Sequence, residues 1–261
     1  MKDLLTINSV QKAFAVLESI AAARGGKTLT EAARELSMTV SSAQRIIHTL
    51  LKIGYISKDP LTKKLEIGPK CLSLAFQFLN RSEVREVVYP FLRELNDATD
   101  ETVNLAVLSG DLEIVYIDRV ETSQMITTNI RPGRTRPIHA TSIGKAILAF
   151  LDEGRRRNIL EKVTEVPEFV SSGKTVAMLE EELAAIREKG YSTNLSELDR
   201  DLFAVAVPLL DFRGFAVAGI NIVVPKSRSS IQEVEERYVP LLLAKGNLIS
   251  SKLGYASMIR R

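Results

Sequence analysis

Apolar positions in the first quarter of the chain recur at helical spacing in three runs. Val10, Ala13, Val16, Leu17 and Ile20 fall on one face of a helix that opens near Asn8 and stops at Arg24-Gly25-Gly26. Thr28-Leu29-Thr30-Glu31 then has the spacing of a capping box, and a short helix over 30–36 follows. Ser37-Met38-Thr39 interrupts the pattern and supplies a cap at Thr39. Ala43, Ile46, Ile47 and Leu50 next repeat at i, i+3, i+4 and i+7, the inward face of a third helix. Its opposite face carries Ser41, Gln44, Arg45 and His48, with Thr39, Val40 and Ser42 at the exposed first turn. After Gly54, residues 55–58 and 64–67 read as two short strands around Asp59-Pro60-Leu61-Thr62-Lys63. Two helices, a polar third helix and a basic hairpin in this order predict a winged helix-turn-helix.

Beyond residue 70 an apolar helical segment covers 72–79, residues 81–83 break it, and a helix follows over 84–99. Strand-like runs over 102–108 and 113–119 flank Ser109-Gly110-Asp111, a hairpin signal, and 125–130 reads as a third strand. Helical patterns lie at 142–151, 155–163 and 176–189. A second hairpin, 203–210 with 215–224 around Asp211-Phe212-Arg213-Gly214, precedes a last helix from Ile231. Hairpins at both ends with helices between predict an antiparallel sheet flanked by helices, an α+β layout. A chain of 261 residues exceeds what one core usually serves. The expected division is a DNA-binding module over 1–70, a linker helix over 71–83 and a larger second domain over 84–256.

Charge sharpens this division. Residues 1–70 hold eleven basic and six acidic side chains, a net of +5, whereas the whole chain is +3, so the remainder is −2. A basic module joined to a slightly acidic one is the asymmetry expected when only the first meets a polyanion. Gln44 and Arg45 have the reach and donor geometry to read adenine and guanine edges in the major groove of double-stranded DNA. Lys63 and Lys64 suit phosphate or the minor groove, and His48 ranks below these as a contact.

The remaining chemistry mostly excludes. One cysteine, Cys71, rules out an intrachain disulfide, and two histidines make a metal site improbable. Residues 1–14 lack the apolar core of a signal peptide, and no run approaches the ~18 apolar residues of a membrane span, which predicts a cytoplasmic protein without membrane contact. The string ending in Gly144-Lys145 fails as a phosphate loop, with His139 in place of the first glycine and Ala146 in place of Ser or Thr. No other catalytic template fits, so neither enzyme activity nor a cofactor is expected. The alternative is an enzyme acting on a small carboxylate, with His139 as its base and the N-terminal module binding a partner. Thr141 and Ser142 can cap a helix at Ser142-Ile143-Gly144, where unpaired N–H groups suit an anion. Taken by themselves, these residues favour an ordinary helix cap over an anion site.

Taken together the chain resembles the IclR family of bacterial transcriptional regulators along almost its whole length. The resemblance is carried by Ser9-Val10-Gln11-Lys12-Ala13, by residues 44–50 with Gly54-Tyr55, and by Leu65-Glu66-Ile67-Gly68-Pro69. In the second domain it is carried by 104–108, 115–120, 139–149, Gly190-Tyr191-Ser192 and Ala206-Val207-Pro208. It implies a dimer or tetramer, operator binding by the winged module, and a GAF-like domain that accepts small organic acids. By position it implies an effector pocket at Met125, Ser142, Ile143, Gly144, Asn194, Ala204, Asn221 and Val223. Ser142-Ile143 stands where glyoxylate- and pyruvate-sensing members have Gly-Ala. Asn194, Ala204, Asn221 and Val223 replace their Asp, Cys, Ser and Ser, so a different effector is implied. The function expected is that of a ligand-responsive, homo-oligomeric repressor or activator.

Overall fold

The computed structural model describes residues 6–80, 83–123, 130–195, 197 and 201–256. Its contacts fall into two compact units, Met1–Arg81 and Ser82–Arg261.

The first unit contains α1 (Asn8–Ala22), α2 (Leu29–Glu35), α3 (Val40–Lys52), β1 (Ile56–Lys58), β2 (Leu65–Ile67) and α4 (Pro69–Asn80). Val16, Ile20, Ala33, Ala43, Ile47, Leu50, Ile56 and Leu65 close its core. Local chemistry sets the boundaries. The Thr28 side chain accepts from the Glu31 N–H while the Glu31 carboxylate accepts from the Thr28 N–H, a complete capping box. Between the wing strands, Asp59 accepts from the backbone N–H groups of Leu61 and Thr62 and tightens the turn. Gly68 lies so close to the chain at Gly54 and Tyr55 that a Cβ there would stand 3.0 Å from the Tyr55 carbonyl carbon. The apolar segment expected to be a separate linker over 71–83 is α4, which starts at Pro69, ends at Asn80 and groups with the first unit.

The second unit runs α5 (Glu83–Thr99), β3 (Thr102–Ser109), β4 (Glu113–Val120), β5 (Thr135–Pro137), a 3-10 turn (Ile138–Ala140), α6 (Ser142–Ala149), α7 (Glu153–Val163), α8 (Pro167–Ser171), α9 (Val176–Lys189), β6 (Ser192–Asn194), β7 (Leu202–Leu210), β8 (Ala216–Pro225) and α10 (Ile231–Lys252). The strands form one antiparallel sheet in the order β5-β4-β3-β8-β7-β6. The two hairpins meet at its centre, where β3 pairs β8 with Asn104 opposite Asn221. Alternation divides the strand residues between faces. Ala206 packs with α6 and α9, and the next residue, Val207, lies against Gly246 of α10. Long stretches of β7 and β8 are buried, as expected of strands covered on both sides.

Three elements differ from the sequence expectations. The edge strands β5 and β6 are three residues each, too short to show a period of two, and were not predicted. The helix α8 was likewise missed. The strand expected over 125–130 lies outside the described residues except for Ile130, which is irregular.

Candidate nucleic-acid interface and ligand cavity

Thr39 caps α3, its hydroxyl accepting from the Ser42 N–H at 3.2 Å. The apolar period then turns one face of α3 inward: Ala43, Ile47 and Leu50 are buried, whereas Thr39, Val40, Ser41, Gln44, Arg45 and His48 are exposed and Ser42 is half-buried. The helix has no acidic residue, so its exposed face presents donors and one guanidinium without a competing carboxylate of its own. On the wing Lys63 is exposed and takes a left-handed conformation at φ +59°, its ammonium donating to the Pro60 carbonyl at 2.7 Å. Lys64 is half-buried beside Glu31. All nine residues expected to touch DNA therefore lie on α3, its cap or the wing.

In the second unit a cavity of about 40 Å³ opens where residues of β4 to β8 meet the start of α6. Among the expected effector residues it is lined by Ser142, Asn194, Ala204, Asn221 and Val223. Two others stand away from its wall. Ile143 is fully buried in the core, where it packs against Gly219. Gly144 packs against the Ile138 carbonyl and the Thr141 hydroxyl, leaving no room for a side chain. The phase of α6 decides this: only its first residue faces the cavity. Met125 lies outside the described residues.

The lining also includes Tyr116, Ile130, Arg136, Ala140, Thr141 and Leu202, which were not among the expected effector residues. Thr141 had a signal, because it is the cap of α6 and accepts from the Gly144 N–H at 3.0 Å. Arg136 sits on the unpredicted strand β5 and had none. The polar floor is a chain of buried groups. Asn104 Nδ2 donates to Asn221 Oδ1 at 2.9 Å, and Asn221 Nδ2 donates to Ser142 Oγ at 3.2 Å. The Asn194 amide donates to the Ala140 carbonyl at 2.6 Å, and the Ser192 hydroxyl to the Ser142 carbonyl at 2.6 Å. Among the described lining residues Arg136 is cationic and none is a carboxylate. With the N-terminus of α6 at its edge, the cavity favours an anion over a cation.

His139 lies next to this wall without lining it. It is 3 % exposed, edge-on to Phe169 with ring centroids 5.2 Å apart. Burial pushes its pKa below 6.5, against the opposing pull of Glu197 and Glu168. Among the described residues no His, Cys, Asp and Glu group could hold a metal ion, and no helix is long and apolar enough to cross a membrane.

A winged helix-turn-helix joined to a sheet domain with an anion-favouring cavity defines a two-module transcriptional regulator. Residues 9–60 match the IclR helix-turn-helix domain, and residues 76–251 match the bacterial transcriptional regulator IclR C-terminal domain. The chain belongs to the IclR family. It is similar to the HTH-type transcriptional regulator BhcR of Paracoccus denitrificans, 34% identical over 86% of this chain and 80% of that protein. The crystal structure of the Thermotoga maritima IclR covers 96% of this chain and all of its own at 31% identity, with a TM-score of 0.69. An IclR homolog from Microbacterium hydrocarbonoxydans, solved with 4-hydroxybenzoate, shares the fold at 21% identity with a TM-score of 0.71; it covers 94% of this chain and 98% of its own.

Proposed function

We propose that this regulator is a homo-oligomer whose α3 and wing hold a double-stranded operator, and that a small organic acid in the cavity changes its affinity for DNA. The observation that carries the reading is the pairing of two complementary surfaces in one chain. One is a recognition face with Gln44 and Arg45 exposed and no acid on its helix; the other is a cavity with Arg136 and no lining carboxylate. The acid acts by binding one DNA-binding arrangement better than another. The contacts are those named above: Thr39, Val40, Ser41, Ser42, Gln44, Arg45, His48, Lys63 and Lys64 toward DNA, and Ser142, Asn194, Ala204, Asn221 and Val223 with Arg136 and Tyr116 toward the acid.

An apolar face of the first unit supports self-association. Phe76 and Phe78 of α4 are 52% and 55% exposed and lie outside the groove of α1, α3 and α4 that Thr39, Ser41, Ser42 and Arg45 line. Monomers rarely leave an apolar surface of this kind uncovered, and a second copy would also pair the recognition helices on a two-fold operator. In this reading the acid is bound and not consumed.

The test is fluorescence anisotropy with DNA from the chain's own upstream region across a salt series, beside the double variant Gln44→Ala with Arg45→Ala. Losing two base contacts should weaken specific binding by about 30-fold or more, each contact contributing about 1–3 kcal/mol. Binding indifferent to sequence and to both substitutions would remove the operator assignment.

A further inference from the structure

A ring of four charges lies behind the cavity. The Lys145 ammonium, 1% exposed, is 2.5 Å from Glu182 Oε1 and 2.5 Å from Glu197 Oε1. The Lys174 ammonium is 3.3 Å from Glu182 Oε2 and 2.8 Å from Glu197 Oε2. Each carboxylate thus bridges both ammonium groups, and the ring is neutral as a whole. It ties α6, α9, the segment before α9 and the residues after β6 to one another.

Two features connect this ring to the cavity. Lys145 is three residues after Ser142, which lines the cavity from the first turn of α6. Glu197 is three residues after Asn194, and its backbone N–H donates to Asn194 Oδ1 at 3.0 Å. The other end of the same amide donates to the Ala140 carbonyl at 2.6 Å. The orientation of Asn194 in the cavity wall therefore depends on where Glu197 is held, and two ammonium groups hold Glu197.

Stability alone does not call for this arrangement. The neighbours of Lys145 on α6 are Ile143, Ala146, Ile147, Leu148 and Ala149, all buried, and a methionine would pack among them. Replacing buried ion pairs by apolar groups is often neutral or stabilising, because desolvating the charges costs about as much as their attraction returns.

Building on the acid-sensor reading above, we propose that the Lys145, Glu182, Glu197 and Lys174 ring positions Asn194. Lys145 and Glu197 then set affinity for the acid without touching it. They are positioning residues, and the cavity's specificity extends through Asn194 to charges behind its wall. Consistent with tight anchoring, burial raises the Glu197 pKa, but Lys145 and Lys174 outweigh it and hold the carboxyl below its ordinary range.

Glu197→Gln keeps the side-chain shape and removes one charge of the ring; Lys145→Met removes another and is read only if it folds. Two measurements are made on the full chain: hydrogen exchange of the peptide spanning 192–197, and calorimetric titration with acetate, pyruvate, succinate and benzoate. The expected results for Glu197→Gln are exchange faster by about tenfold and an acid Kd raised about tenfold, which is 1.4 kcal/mol. In an Asn194→Ala background the same change should add little to the Kd, because both act through one amide. Unchanged exchange, or an affinity loss fully additive with Asn194→Ala, overturns the proposal. If none of the four acids binds the wild type, the acid-sensor reading is what loses support. Exchange then decides the ring's role alone, faster exchange upholding it and unchanged exchange overturning it.

Discussion

The His139 imidazole is held in a buried site among charged neighbours. Glu197 and Glu168 favour its protonation, Lys174 and Lys145 oppose it, and burial, the largest influence, keeps its pKa below the unfolded value of 6.5. The folded chain therefore binds fewer protons than the unfolded chain just below that value. Its contribution to stability is full above 6.5 and is lost as pH falls through the lowered pKa. Urea melts of the wild type should weaken from about pH 7 toward about pH 5, and His139→Gln should flatten that part of the profile. A variant with the same slope as the wild type would place the titrating group elsewhere. Nearby, Asn221 shows a second way one residue shapes the site. Its amide accepts from Asn104 and donates to Ser142, so a side chain in the middle of β8 orients the first residue of α6.

Helices reach the sheet closely only where a small residue lets them. Gly246 on α10 faces Val207 of β7, and a Cβ added there would meet Val207 Cγ2 at 2.8 Å and Cβ at 3.4 Å. Valine is stiff about χ1 and cannot swing aside freely. Alanine at 246 would gain up to about 1 kcal/mol of helix propensity. Overpacking costs typically about 1–3 kcal/mol, so the net change should be destabilising. Equilibrium unfolding of Gly246→Ala should show this loss, and adding Val207→Ala should recover part of it by making room. A Gly246→Ala variant as stable as the parent would mean that α10 shifts on the sheet at little cost. The cavity depends on the same kind of fit on the opposite face, where Ile143 fills the space over Gly219.

For the whole molecule, charge and apolar surface are both unevenly distributed. The basic first unit and the slightly acidic remainder suit a protein that contacts nucleic acid through one module. The exposed Phe76 and Phe78 of that module, 52% and 55% accessible, suit contact with a second copy. Phe76→Asp should reduce the sedimenting mass at micromolar concentration or weaken operator binding by about tenfold or more, since paired half-sites reinforce each other. Unchanged mass together with unchanged DNA affinity would remove this face from the assembly.

Local signals made much of the fold legible in advance. The capping box at Thr28, the cap at Thr39, the wing around Asp59 and the two hairpins of the second unit are set by residues within a few positions of each other. The exposed face of α3 was legible for the same reason, because a 3.6-residue period assigns Gln44, Arg45 and His48 to the side opposite Ala43 and Ile47. The sequence by itself thus determined the winged module and the antiparallel layout, and it named Ser142, Asn194 and Asn221 among the polar groups near the cavity. Only the tertiary structure decided which of them line it. The phase of α6 faces Ser142 to the cavity and sends Ile143 into the core, and the short edge strand β5 brings in Arg136. The ion pairs of Lys145 join residues 37 and 52 positions apart. Such choices depend on strand register and on helices packing across a sheet, which no local period encodes.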